Sequence, residues 1–221
     1  MSTTLQAFEN RPDVQRLTLP RIGWSTYVAL SDDVGESSAT HLIYREGRLT
    51  FVTKSRLHDW FAECLGELVK EVAEAQQIPW EFVGSATLRR PDLKVGVEGD
   101  KSFYIGPNAE RMLGPKNIDL SVDPVPDLAI EVEVSHAAEE AMRVYARLGV
   151  PEVWRLDVND WTLEFQVLQP DATYSAAERS LALPMLAPPA VLEQLRQAEA
   201  LGSSRWTQQL RTWSRVLPRL R

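Results

Sequence analysis

The sequence predicts a mixed α/β domain, because helical periodicity and strand-like runs alternate along most of its length. Ser55 is suited to cap a long helix, whose apolar residues from Leu57 to Val72 recur at helical spacing. A near-continuous apolar run at 128–134 is typical of a buried central strand. A second helix at 137–148 ends at Gly149. The order of helix, strands, helix and strands therefore predicts the mixed class.

The remaining elements follow from the same patterns, taken in chain order. They are a loose arm at 1–20, a short helix at 24–30, a hairpin of 41–44 and 49–53 around Glu46-Gly47, strands at 81–88, 95–97 and 102–105, a turn-rich stretch at 106–117, strands at 152–156 and 162–168, and helices at 190–201 and 205–217. We therefore expect a flexible N-terminal arm (1–20) and one domain over 21–221 that includes the C-terminal helices.

Composition excludes several classes of protein. The chain has 221 residues, of which 25% are charged and 44% apolar, so disordered, collagen-like and disulfide-scaffold proteins are excluded. No run approaches the ~18 apolar residues of a membrane span, and residues 1–20 lack the apolar segment of a secretory signal. Cys64 is the single cysteine, which excludes structural disulfides and cysteine-rich zinc sites. We expect a cytoplasmic protein.

The charge distribution bears on nucleic-acid binding. With 24 Lys plus Arg against 31 Asp plus Glu, the net charge is −7, which argues against a simple basic nucleic-acid coat. A nuclease stays open, because bound metal ions supply positive charge locally. The C-terminal segment is basic, with Glu199 as its one acid. Its arginines, which either cover solvated helix faces or contact phosphates, are Arg196, Arg205, Arg211, Arg215, Arg219 and Arg221.

Two glutamates interrupt the apolar run at 128–134. Side chains alternate between the faces of a strand, so Glu131 and Glu133 share one face of a strand that otherwise looks buried. Burying an unpaired carboxylate costs several kcal/mol, and two neighbouring carboxylates repel each other. Such a pair persists if cations neutralise it, if it faces solvent at a sheet edge, or if one carboxyl is protonated. A hard, oxygen-seeking cation is the most economical explanation.

A second acidic pair, Glu98 and Asp100, repeats this spacing just before the aromatic residues Phe103 and Tyr104. Taken alone, these residues are ordinary loop acids. Four carboxylates on two strands of one domain instead favour a metal site. Oxygen ligands without cysteine and with few histidines favour Mg²⁺ or Mn²⁺ over zinc.

With these motifs in place, the chain resembles the Uma-two family of restriction-endonuclease-like proteins, a branch of the PD-(D/E)XK nuclease superfamily. The stretches that carry the resemblance are 42–44 with Gly47, 57–59, 84–88, 96–100, 102–105, 116–120, 124–134 and 145–155. They extend from about Pro20 to the last helix, in a specific order and spacing. The resemblance implies a restriction-endonuclease-like core, with a central mixed sheet flanked by helices and the acidic site on two neighbouring strands.

The resemblance also implies roles for the acids. The family's Glu-Pro-Asp reads Glu98-Gly99-Asp100 here, so Asp100 corresponds to the aspartate of the PD motif. Glu131 matches the (D/E) position. Asp100 and Glu131 would bind Mg²⁺ or Mn²⁺, and Glu98 and Glu133 would be further catalytic carboxylates or orient water. The implied activity is hydrolysis of DNA phosphodiester bonds. Glycine in place of proline at position 99 is expected only to loosen the strand.

One departure from the family concerns a lysine. Glu133 stands where the superfamily usually has lysine, and relatives in this branch carry it four residues before the tyrosine that corresponds to Tyr145. That position is Ala141 here. Losing one such electrostatic contributor typically costs ~10²–10³ in rate. Two hypotheses therefore stay open: a weakened DNA endonuclease, and a catalytically inactive nuclease fold that serves in binding or assembly. A homodimer would suit cleavage of both strands.

The three histidines have less specific signals. His58, followed by Asp59, matches a His-Glu pair of the family and either lines the site or serves in capping and packing. His136 lies at the mouth of the acidic strand, where it either lines the site and contacts a metal ion or a phosphate, or has no role in the site. His41 is assigned to the hairpin.

Overall fold

The computed structural model of the chain describes residues 16–35, 40–84, 86–114, 118–133 and 138–219. Within these ranges, helices pack against two β-sheets. In chain order, the elements are β1 (Arg16–Leu19), α1 (Trp24–Val34), β2 (Thr40–Arg45), β3 (Arg48–Thr53), α2 (Arg56–Gln76), β4 (Trp80–Gly84), β5 (Thr87–Arg90), β6 (Val95–Glu98), β7 (Lys101–Ile105), α3 (Pro107–Arg111), β8 (Leu128–Glu133), α4 (Ala138–Leu148), β9 (Glu152–Asp157), β10 (Thr162–Leu168), β11 (Tyr174–Ala177), α5 (Pro188–Leu201) and α6 (Ser203–Val216).

The strands divide into two sheets. The first has the order β1-β3-β2-β6-β5, and the second has the order β11-β10-β9-β8-β7-β4. In the second sheet β8 and β9 run parallel while β7 and β10 pair with them antiparallel, so this sheet is mixed. The predicted α/β class with a restriction-endonuclease-like core is confirmed. The single sheet of the prediction is replaced by two, because the chain leaves the first sheet at Glu98 and enters the second at Lys101.

Strand β8 lies at the centre of the second sheet, between β7 and β9. Leu128, Ile130 and Val132 on one face pack into a core that includes residues of α2, α5 and α6. Ala129 on the other face packs into a separate core with residues of α4. The alternation predicted from the sequence is therefore confirmed. A half-exposed edge strand is excluded as the explanation for the glutamates of β8.

The predicted long helix and hairpin are both present, and each depends on interactions between residues close together in the sequence. Ser55 caps α2, because its hydroxyl oxygen accepts a hydrogen bond from the His58 backbone N–H at 3.3 Å. The two-residue turn between β2 and β3 has both residues at positive φ, 51° for Glu46 and 78° for Gly47, as such hairpins require. Helix α6 packs on α2 and contributes Trp206 to the same apolar core.

Several short elements differ from the sequence prediction. Arg16–Leu19 pairs with β3 as an edge strand, so the predicted arm at 1–20 does not extend over these four residues; residues 1–15 lie outside the described ranges. The segment predicted as one strand at 81–88 contributes to β4 and β5, which lie in different sheets. These strands have four or five residues, and β1 and β4 pair with strands that are distant in sequence, which a local pattern does not indicate. None of the described helices has the length and apolar character that crossing a bilayer requires.

Candidate active site at the junction of the two sheets

Asp100 lies in the two-residue link through which the chain passes from the first sheet to the second. Its side chain is buried, and three elements hold it. The Val132 backbone N–H of β8 donates a hydrogen bond of 2.7 Å to Oδ2. His58 Nε2 of α2 lies 3.0 Å from the same oxygen, and His41 Nδ1 of β2 lies 3.5 Å from Oδ1. These contacts fix the orientation of the carboxylate.

The electrostatics of this cluster favour an ionised aspartate. Burial opposes ionisation, but the charge and hydrogen bond of His58, with smaller contributions from His41 and Val132, hold the pKa of Asp100 below its usual range. Burial also opposes protonation of His58, yet Asp100 outweighs it and raises the His58 pKa. His41 behaves differently, because burial outweighs the attraction of Asp100 and lowers its pKa to about 4.

Glu131, on β8, is the second carboxylate of the site. The Tyr145 hydroxyl of α4 donates a hydrogen bond of 2.5 Å to Oε1. Burial, and then the negative charge of Asp100, raise the Glu131 pKa well above its usual value. The hydrogen bond from Tyr145 and the charge of Lys54 act in the opposite direction. The structure therefore brings Asp100 and Glu131 close enough for the charge of one carboxyl to disfavour ionisation of the other.

Gly99 provides the space in which this second carboxylate is held. A Cβ atom at this position would lie 2.0 Å from the Tyr145 hydroxyl oxygen and 3.1 Å from Glu131 Oε1. The φ angle of Gly99 is outside the left-handed region, so the requirement for glycine is spatial rather than conformational. The expectation that glycine merely loosens the strand is wrong, because the tyrosine hydroxyl occupies the volume that any side chain would need.

Glu98 has partners different from those of Asp100. Its buried carboxylate accepts hydrogen bonds from Ser31 Oγ at 3.2 Å, the Leu42 backbone N–H at 3.1 Å and Thr87 Oγ1 at 3.3 Å. These donors come from α1, β2 and β5, so Glu98 ties together elements around the first sheet. The alternation expected from Glu98 to Asp100 does not continue, because β6 ends at Glu98 and the chain changes sheets.

Glu133 is neutralised by an arginine. Its carboxylate is buried, and Arg155 of β9 donates to Oε2 from Nε at 2.9 Å and from Nη2 at 2.6 Å. Parallel pairing sets Arg155 opposite Glu131, one side-chain position before Glu133 on the same face of the sheet. Of the explanations for the two glutamates on β8, neutralisation by a cation therefore applies to Glu133, and the cation is the guanidinium of Arg155.

The fit of this site to a divalent ion depends on two carboxylates. Among the described residues, no group of three or more histidine, cysteine, aspartate or glutamate side chains is spaced to hold a metal ion. Asp100 and Glu131 nevertheless supply the hard oxygen donors that Mg²⁺ and Mn²⁺ prefer, and Mg²⁺ usually keeps several waters beside one or two carboxylates. Burial and then the charge of Asp100 raise the Glu131 pKa, and a bound cation would offset both effects. His136 lies outside the described residues.

The positively charged residues around the site differ from those that the family resemblance implies. Ala141 is buried in an apolar cluster on the face of α4 that packs against β6 and β8. Lys101 forms an ion pair with Glu63. Lys54 is half-buried, and its charge acts on Glu131 and on His41. The contact of His41 with Asp100 could not be predicted from the sequence, because nothing in a hairpin pattern indicates which residues its ends will meet.

The arginine-rich helix α6 faces acidic side chains. Arg211 Nε donates a hydrogen bond of 2.7 Å to Glu71 of α2. Arg215 and Arg219 line the same groove, which also contains Glu74. These acids offset the positive charge, which favours the interpretation of the arginines as helix surface over the alternative of phosphate contacts.

Two sheets flanked by helices, with an aspartate at the link between them and a glutamate on the central strand beside it, define the restriction-endonuclease-like class of α/β proteins. The family model of Uma2, whose description reads "Putative restriction endonuclease", matches residues 24–200, which is most of the chain. The chain therefore belongs to the Uma2 family, and membership supports a nuclease-like function in general. A comparison with curated proteins gives no match.

Proposed function

We propose that the chain is a metal-dependent endonuclease that hydrolyses DNA phosphodiester bonds, with Asp100 and Glu131 as the protein ligands of Mg²⁺ or Mn²⁺. The observation that carries the proposal is the proximity of the two residues: a Cβ atom at Gly99, which precedes Asp100, would lie 3.1 Å from Glu131 Oε1, and the backbone N–H of Val132, which follows Glu131, donates to Asp100 at 2.7 Å. Burial and the charge of Asp100 both disfavour an ionised Glu131, and a divalent cation held between the two carboxylates would offset both effects. Uma2 membership supports a nucleic acid as the substrate.

The residues of the site have distinct tasks in this proposal. When bound, the divalent ion would polarise the phosphate and lower the pKa of an attacking water. Val132 and His58 hold the Asp100 carboxylate in one orientation. Tyr145 fixes Glu131 through its hydroxyl. Glu98 and Glu133 support the strands through partners of their own rather than acting as ligands.

An inactive nuclease fold that serves in binding or assembly is the second candidate. One observation favours it: the described residues hold no cluster of three metal-ligating side chains. The resemblance implies in addition that Ala141 stands where the family carries a lysine. The two candidates differ in one measurable property, which is metal-dependent turnover.

Thermal denaturation with and without Mn²⁺ tests the site itself. At an ion concentration of about 100 times Kd, binding stabilises the folded state by about 2.7 kcal/mol. For a domain of this size that corresponds to a rise in Tm of roughly 5–10 °C. Glu131→Gln, which keeps an acceptor for Tyr145, should abolish this rise. Glu164→Gln removes an exposed carboxylate from β10 of the same sheet and is the matched control.

Nicking of supercoiled plasmid in Mn²⁺ tests turnover. We expect nicking by the native chain, none with EDTA, and none by Glu131→Gln. A native chain that binds Mn²⁺ at Glu131 but cleaves neither duplex nor single-stranded DNA would contradict the endonuclease and support the inactive fold. Cleavage that survives EDTA would contradict the metal mechanism. Light scattering tests the homodimer that cleavage of both strands would suit.

A further inference from the structure

A groove between α2 and α6 is lined by charges of both signs. It has a volume of about 860 Å³, and the half-buried Trp80 of β4 contributes to its lining. Neither Asp100 nor Glu131 lines it, so it is separate from the candidate active site. Its acids are Glu67, Glu71 and Glu74, and its arginines are Arg211, Arg215 and Arg219. Any molecule that fills the groove therefore contacts both signs of charge.

The two signs of charge come from different elements. The three acids lie on α2 at intervals of four and three residues, which places them along one face of that helix. Arg211 and Arg215 lie one turn apart on α6, and Arg219 follows the end of that helix. We call the three acids the acidic wall of the groove and the three arginines its basic wall.

The charges of the two walls are only partly neutralised within the chain. Arg211 donates a hydrogen bond to Glu71 at 2.7 Å, and Glu67 pairs with Lys70 at 3.1 Å. The other three wall residues are exposed, and none of them forms an ion pair within the part of the chain that the structure describes; they are Glu74, Arg215 and Arg219. Val216, which follows Arg215, is a large apolar side chain that is 76% exposed. This face therefore presents unpaired charges of both signs beside an exposed apolar side chain.

The two signs of charge select the kind of partner. A nucleic-acid strand is uniformly anionic, so the acidic wall would repel it. A uniformly basic or acidic segment of another protein is likewise repelled by one of the walls. A second copy of the chain presents one wall of each sign at the same separation. When two copies meet about a two-fold axis that runs along the groove, each acidic wall faces the basic wall of the other copy.

We propose that this groove is the surface through which two copies of the chain associate, with the acidic wall of each copy against the basic wall of the other. Exposed ion pairs contribute little free energy each, so the walls set the register and speed association. Val216 and Trp80 supply apolar contact. Because no residue of the candidate active site lines the groove, the proposal is independent of DNA cleavage.

Sedimentation velocity of the native chain tests the association. We expect a reversible equilibrium between monomer and dimer at protein concentrations of about 1–100 µM, which correspond to an interface of modest affinity. The dissociation constant should rise at least about tenfold between roughly 0.05 M and 0.5 M salt, because salt screens exposed charges. A native chain that stays monomeric over this whole range of concentration at low salt would overturn the proposal.

Two charge-reversed variants locate the interface. Arg215→Glu with Arg219→Glu makes both walls acidic, and Glu67→Lys with Glu74→Lys makes both walls basic. Each variant alone should dimerise at least about a hundredfold more weakly than the native chain, because like charges then face each other. An equal mixture of the two variants should form a heterodimer, because every wall of one variant again faces a wall of opposite sign. Such recovery on mixing requires a self-complementary surface.

A matched control changes the net charge by the same amount elsewhere. Arg48→Glu with Arg205→Glu reverses two exposed arginines that do not line the groove, and this variant should dimerise like the native chain. Thermal denaturation confirms that each variant is folded. Charge-reversed variants that dimerise like the native chain, or a mixture that remains monomeric, would show that the groove is not the interface. DNA binding by the native monomer that Arg215→Glu with Arg219→Glu abolishes would assign the groove to phosphate contacts and overturn the proposal.

Discussion

Replacing Gly99 with alanine would place a Cβ atom 2.0 Å from the Tyr145 hydroxyl oxygen. Real contacts of Cβ atoms are longer than 3.0 Å, so the two groups must separate by about 1 Å, which breaks the 2.5 Å hydrogen bond to Glu131. Overpacking a close-packed site costs about 1–3 kcal/mol, and losing the hydrogen bond adds about 1 kcal/mol. We expect a total loss of about 2–4 kcal/mol, or roughly 6–12 °C in Tm.

A double-mutant cycle in urea isolates the cause of this loss. In Tyr145→Phe the oxygen is absent, and the closest remaining tyrosine atom to the new Cβ is the ring carbon Cζ at 3.3 Å. A shift of a few tenths of an ångström relieves that contact, so Gly99→Ala should cost only about 1 kcal/mol in this background. The coupling energy between the two positions should therefore be about 1–3 kcal/mol.

A glycine on α2 provides the control. A Cβ at Gly66 would meet its closest neighbours at 3.7 Å, which is ordinary van der Waals contact. Gly66→Ala should be neutral or should stabilise the helix by about 0.5–1 kcal/mol. If Gly99→Ala costs the same free energy with and without the Tyr145 hydroxyl, or no more than Gly66→Ala, the spatial explanation is wrong.

Three further predictions concern charged and reactive groups. The Glu131 pKa is raised in the folded state, so the stability that the protonated carboxyl contributes is lost as pH rises through that pKa. The Tm of Glu131→Gln minus the Tm of the native chain should therefore increase between about pH 5 and pH 8 in EDTA. A difference in Tm that stays constant with pH would refute the shift. Arg155→Met should lower the free energy of unfolding, measured in urea, by about 3–5 kcal/mol, because Glu133 is left as an unpaired buried charge. A loss below about 1 kcal/mol would show that solvent reaches Glu133. Burial raises the Cys64 pKa to about 12, so a thiol reagent at about pH 8 should label it only after unfolding, and rapid labelling of the native chain would contradict its burial.

Elements with dense local signals could be predicted from the sequence. The cap at Ser55, the turn at Glu46-Gly47 and the apolar run of β8 each depend on residues within one element, and each was confirmed. Strand β1 and the division into two sheets could not be predicted, because both depend on pairing between strands that are far apart in the sequence. The pattern of a four-residue edge strand such as Arg16–Leu19 differs little from that of a loop.

The candidate site shows the same limit. Alternation predicted that Glu131 and Glu133 share a face, but their different environments depend on residues of other elements. Arg155 reaches Glu133 through the pairing of β8 with β9, and the Tyr145 hydroxyl reaches Glu131 from α4. A sequence pattern contains neither of these tertiary contacts. His41 was likewise assigned to the hairpin, although its ring lies beside Asp100.

The link that carries Asp100 has a consequence for the order in which the chain folds. Its partners come from β2 and α2 before it and from β8 after it, where Val132 is 32 residues away in sequence. Closing such loops is slow compared with forming a helix or a hairpin, so the aspartate reaches its final surroundings only after these elements have docked. An incompletely folded chain would therefore lack the paired carboxylates. In the proposed endonuclease, the metal-binding carboxylates would therefore come together only after both sheets have assembled.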